Sequence, residues 1–128
     1  MPYRFVPHTA DIGVEIVAPD EAGLRAAGID ALRELLVGSS PVRVTTSHPI
    51  EPRGQDVAER LVRFLNDALY LYAAERFVPG QAGPAGILGE AFDPARHTAL
   101  REIKAVTYHR AVVRRENAGL CATLVFDV

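Results

Sequence analysis

The sequence predicts an α+β fold, with two amphipathic helices packed on one side of a mostly antiparallel or mixed β-sheet, in a single domain over residues 1–128. Three observations lead there. Short stretches alternate apolar and polar residues, the mark of half-buried strands. Two longer segments repeat apolar residues every three or four positions, the mark of helices with one buried face. Most connections are short turns, and no low-complexity linker or internal repeat divides the chain.

Tyr3 to Pro7 reads as a short strand and Asp11 to Ala18 as the next, joined by a polar turn at His8-Thr9-Ala10. Pro19-Asp20 opens the first helix: Asp20 is a capping residue and Glu21 suits the positive first turn. Leu24, Ala27, Ala31, Leu32, Leu35 and Leu36 form its apolar stripe, and Gly38-Ser39-Ser40-Pro41 ends it. Gly28 within this helix costs about 1 kcal/mol relative to Ala and points to close packing. Val42, Val44 and Thr46 begin a strand expected to run through His48 to Ile50 and Pro52, and its prolines place it at an edge or a bulge. Gly54-Gln55-Asp56 leads into the second helix, with Val57, Leu61, Phe64, Leu65, Ala68, Leu71 and Tyr72 on one face. Phe77-Val78-Pro79 starts a strand, Gly80 to Gly86 reads as a flexible turn, and Ile87 to Phe92 reads as a strand stopped by Asp93-Pro94. From Glu102 onward the pattern is a long hairpin reversed at Asn117-Ala118-Gly119. Within it Lys104, Val106 and Tyr108 fall on one face, and Ile103, Ala105, Thr107 and His109 on the other. The last strand alternates Leu120, Ala122, Leu124, Phe126 and Val128 with Cys121, Thr123, Val125 and Asp127.

Composition narrows the functional classes. Hydrophobic residues are 48% and charged residues 23% of the chain, a globular balance, and the net charge of −2 argues against a strongly basic nucleic-acid binder. Cys121 is the only cysteine, which excludes an internal disulfide and a cysteine-based zinc site; its apolar strand suits a buried, inert thiol. No stretch reaches transmembrane length, and Met1-Pro2-Tyr3-Arg4 lacks the apolar core of a signal peptide, so a cytoplasmic protein without a membrane partner is expected.

The acids at the two ends of the chain carry the most chemistry. With Val128 taken as the natural terminus, its carboxylate lies one residue from Asp127, on a strand stiff enough to hold both. Asp11 opens the second strand, so two strands with acids at their margins are able to bring three carboxylates together. Such groups repel one another unless a cation neutralises them. Hard oxygen donors suit calcium, magnesium or manganese, whereas zinc favours nitrogen or sulfur. His8 is near enough in sequence to support that site. The plainer alternative is a turn-capping Asp11 and a solvated Asp127. The Lys104–His109 stretch offers a cation–aromatic surface to a partner or phosphate, against the alternative of a strand face with snorkelling Lys and Tyr side chains. His48 and His97 read as exposed loop histidines. A P-loop, a G-x-S-x-G elbow and an H-E-x-x-H pair are all missing from the sequence, which shifts the balance toward a protein that acts on another protein.

Several ordered blocks along the chain resemble the archease family. They are Phe5-x-x-His8-Thr9-Ala10-Asp11-Ile12-Gly13, Leu61-x-x-Phe64-Leu65-Asn66-x-Ala68-Leu69-Tyr70, Gly89-Glu90, His97-x-x-x-Leu100, Ile103 to His109, and Leu124-Val125-Phe126-Asp127-Val128. The resemblance covers essentially the whole chain. It implies a compact α+β accessory protein, not itself an enzyme, that promotes guanylylation of an RtcB-type RNA ligase. That ligase then turns over repeatedly in tRNA splicing or RNA repair and accepts a broader set of nucleotides, and RNA is met only through it. The family's metal site maps onto Asp11, Asp127 and the Val128 carboxylate, with calcium expected at rest and magnesium or manganese as alternatives. His8, Lys104 and His109 match family motifs and are candidates for metal-site support or partner contact. Phe64 stands where many relatives carry Trp, a conservative change on a packed face. Two other classes fit the same acids or surface: a small metal-dependent hydrolase, and a general chaperone or modulator of nucleic-acid-modifying proteins.

Overall fold

The computed structural model describes residues 2–6, 11–108 and 111–128. Its elements run β1 (Tyr3–Val6), β2 (Asp11–Ala18), α1 (Glu21–Val37), β3 (Thr46–Pro49), α2 (Val57–Glu75), β4 (Phe77–Gly83), β5 (Gly86–Ala91), β6 (Ala105–Val106), β7 (Val112–Glu116) and β8 (Gly119–Asp127). The expected α+β class holds, but the strands form two antiparallel sheets instead of one. The larger has the order β1-β2-β8, with β7 and β6 both pairing the far side of β8; the smaller is β3-β5-β4. The helices bridge the sheets, α1 packing on β2 and β4, and α2 on α1, β4 and β6.

Local chemistry explains the helix ends. Asp20 accepts from the Gly23 N–H and caps α1. Asp56 accepts from the Glu59 N–H while Glu59 accepts from the Gln55 N–H, a reciprocal cap that starts α2. Gly38, at φ 63°, closes α1 by returning its N–H to the Glu34 carbonyl. A Cβ on Gly28 would meet Leu65 at 3.1–3.2 Å, so the glycine lets α1 approach α2. The core between sheet and helices contains Val14, Ile16, Leu24, Leu32, Phe64, Leu65, Leu124 and Phe126, none more than 2% exposed.

Four expectations are corrected. The strand expected from Val42 is regular only over Thr46–Pro49, where it forms the predicted edge. The glycine-rich segment is strand, not turn, as far as Gly83; a register shift lies between Pro79 and Gln81, and the turn itself is Pro84-Ala85. Glycine is required there by close approach: a Cβ on Gly89 of β5 would lie 2.0 Å from the Val78 carbonyl oxygen of β4. The long hairpin is interrupted, since β6 is only two residues and the Ala111 N–H bonds the Tyr108 carbonyl before β7 begins. Along this segment Val106 is buried while Lys104 and Tyr108 are exposed.

Neither His48 nor His97 is the exposed loop residue expected. His48 is part of β3 and its ring meets Phe77 edge-on at 4.4 Å. His97 is only 3% exposed and Glu90 only 6%. Glu90 accepts two bonds from the Arg96 guanidinium (2.6 and 2.9 Å), one from the Arg43 N–H (2.7 Å), and lies 3.0 Å from His97 Nε2. Because the Asp93 N–H donates to His97 Nδ1 at 2.9 Å, the hydrogen-bond pattern assigns the ring proton to Nε2, pointing at Glu90. A buried carboxylate persists only with such partners. The Arg96 guanidinium, helped by the Arg43 N–H and His97, outweighs burial and holds the Glu90 carboxyl at about 2, below its ordinary 4.5. A carboxyl lowered in the folded state stabilises above the ordinary value and loses that contribution as pH falls toward its folded value. Urea unfolding is therefore expected to show stability falling between pH 4.5 and about 2. Glu90→Gln should lower the midpoint at neutral pH and make the acid slope shallower; an unchanged slope would contradict the assignment.

Candidate metal centre at the paired strand ends

The geometry of the acids follows from the pairing of β2 with β8. The two strands run antiparallel over eight residue pairs, from Ala18↔Leu120 to Asp11↔Asp127. Ile12↔Phe126, Val14↔Leu124 and Ile16↔Ala122 point into the core, so the alternate pairs Gly13↔Val125, Glu15↔Thr123 and Asp11↔Asp127 share the opposite face. Side chains directly opposed on one face have Cβ atoms about 4.5–5.5 Å apart. Asp11 and Asp127 are thus brought together, and Val128 follows Asp127 at the exposed end of the same strand, itself 41% exposed.

The third strand at this end is β6. Ala105 pairs with Asp127 and Val106 with Phe126. The Lys104 N–H donates to the Asp127 carbonyl at 2.8 Å and the Thr107 N–H to the Val125 carbonyl at 2.9 Å. Asp127 is therefore flanked on one side by Asp11 and on the other by residues 104–105. Of the supporting candidates, Lys104 is exposed beside Asp127, whereas His8 and His109 lie outside the described residues.

One contributor escaped the sequence reading. Asn66 of α2 accepts from the Val106 N–H at 2.8 Å and donates its amide to the Val106 carbonyl at 3.1 Å. A single carboxamide thereby satisfies both main-chain groups of Val106, as a further strand would. The signal was a polar residue at helical spacing from Val62 and Leu69, both buried. The second missed feature is the Glu90–Arg96–His97 cluster, which is tied to the smaller sheet through β5.

The donor set suits a hard divalent cation. The two aspartates offer only oxygen, and with the expected Val128 carboxylate they would match calcium, magnesium or manganese. Among the described residues no three His, Cys, Asp or Glu side chains converge as a metal-binding group. No described helix is long and apolar enough to cross a membrane.

Comparison with known proteins agrees with this architecture. The model of the "Archease protein family (MTH1598/TM1083)" matches residues 3–128. The chain is 33% identical to a protein archease of Pyrococcus furiosus over 135 residues, covering 94% of each, and 29% identical to that of Archaeoglobus fulgidus over 139 residues, covering all of each. Its fold resembles the solution structure of Methanobacterium thermoautotrophicum protein 1598, with TM-score 0.76, 21% identity and 99% of each chain covered. It also resembles the crystal structure of an archease, "possible chaperone", from Thermotoga maritima, with TM-score 0.64, 22% identity, and 96% of this chain and 94% of that one covered. By the family match along nearly its whole length, this chain belongs to the archease family.

Proposed function

We propose that the protein is a metal-binding, non-enzymatic activator of an RtcB-type RNA ligase, promoting guanylylation and repeated turnover of that enzyme in tRNA splicing or RNA repair. Family membership supports the accessory role, and the description of the Thermotoga maritima relative as a possible chaperone is its coarser form. The single observation that carries the metal reading is the register Asp11↔Asp127 next to Val128. Asp11, Asp127 and the Val128 carboxylate hold the cation. Calcium takes about six to eight oxygen ligands, so a three-carboxylate site leaves positions for water or for a partner's donors. When bound, the cation supplies fixed positive charge at an exposed tip. The chain's own residues orient that tip: the β2 and β6 pairings hold Asp127, and the Lys104 N–H bonds its carbonyl. Docked near the ligase's nucleotide site, the tip positions groups electrostatically, while the ligase performs the covalent chemistry.

The test is guanylylate formation by a cognate RtcB-type ligase with GTP and divalent metal. Asp11→Ala, Asp127→Ala and a short C-terminal extension are each expected to cut the stimulation by more than about tenfold, while circular dichroism stays native. Full stimulation by all three would contradict the reading. Phosphoester cleavage by the purified protein with divalent metal would favour the hydrolase alternative.

A second expectation follows from the opposed carboxylates. In chelator at low salt, Asp127→Asn should raise stability by up to about 1 kcal/mol, because like charges across a strand pair repel. With calcium at about one hundred times its Kd the order should reverse, since the wild type alone gains about 2.7 kcal/mol. Urea titrations with and without calcium check the crossover.

A further inference from the structure

We infer that Asn66, which touches neither aspartate, is the positioning residue of the acid site. The inference rests on the reading of that site as a cation centre. Residues 104–107 are attached to β8 by a two-residue strand and two flanking main-chain bonds, Lys104 N–H to the Asp127 carbonyl and Thr107 N–H to the Val125 carbonyl. So short a ladder is weak by itself. The opposite edge of this segment is held by the Asn66 carboxamide, which fixes the Val106 N–H and carbonyl from a helix whose Val62, Leu65 and Leu69 are buried.

The consequence for the acids is geometric. With residues 104–107 in place, Asp127 has a strand partner on each side, Asp11 on β2 and Ala105 on β6. Without them Asp127 becomes an edge residue, tied by β2 alone at the frayed end of a sheet, and Val128 moves with it. Asn66 thus fixes the main chain that carries the Asp127 side chain and the terminal carboxylate, as outer partners orient metal ligands elsewhere. Lys104, whose N–H bonds the Asp127 carbonyl, is located by the same clamp.

The experiment uses Asn66→Ala and Asn66→Leu, the second keeping an apolar volume in case the first does not fold. Calcium is titrated calorimetrically into the metal-free protein, and amide hydrogen exchange is followed at Lys104, Val106 and Thr107. The expected result is about a tenfold loss of calcium affinity with faster exchange at those three amides. Glu90→Gln serves as a destabilised control at a remote cluster and should leave both readouts unchanged. Wild-type affinity and exchange in both Asn66 variants would overturn the inference, as would an equal loss of affinity in the control. If the wild type binds no calcium, the cation reading fails, and the exchange rates still decide whether Asn66 holds the segment beside Asp127.

Discussion

The β2–β8 register is the constraint on which the remaining structure depends. A slip of one residue would turn every side chain of a strand to the other face. Here that would take Val14 and Ile16 out of the core and drive Glu15 into it. Each large apolar side chain buried in this pairing is worth about 1.5–3 kcal/mol, and Val14, Ile16, Leu124 and Phe126 are fully buried. Opposed like charges at an exposed strand end cost only about 0.2–1 kcal/mol. The core therefore sets the register, and the opposition of Asp11 and Asp127 is its consequence. The opposition of the two aspartates is thus built into the strand pairing itself.

Around that pairing the polar devices divide into two groups. At the acid end, β6 and the Asn66 amide extend the sheet past Asp127 and bring Lys104 beside it. On the smaller sheet, Glu90 gathers Arg96, His97 and the Arg43 main chain, and so fixes the turn after β5 against the segment before β3. Arg33 of α1 donates to the Gly80 carbonyl between Pro79 and Gln81, where the β4 register shifts, and this ties helix to smaller sheet. The second group ties the smaller sheet to its neighbours, while the first sits at the paired ends of β2 and β8.

The elements legible in the sequence are those whose own side chains declare their period. The α1 stripe from Leu24 to Leu36, the α2 stripe from Leu61 to Leu71, and the alternation of Asp11–Ala18 and Gly119–Asp127 each report a buried face directly. The acid pair was half legible: each aspartate marked a strand margin, but their opposition required a register that only pairing supplies. What could not be read depended on contacts between distant segments. Gly80–Gly83 carries turn-forming residues, yet it continues β4 alongside β5. His97 follows Arg96 in an apparent surface turn, and its burial is dictated by Glu90, seven residues earlier. Over residues 103–108 the apparent alternation gave way because only Ala105 and Val106 pair as strand, with Asn66 standing in for the next one.

The most direct test is the anomalous diffraction of crystals grown with calcium. One strong peak is expected, with carboxylate oxygens of Asp11, Asp127 and Val128 about 2.3–2.6 Å away. Peaks confined to other surface acids, with those three groups oriented apart, would contradict it.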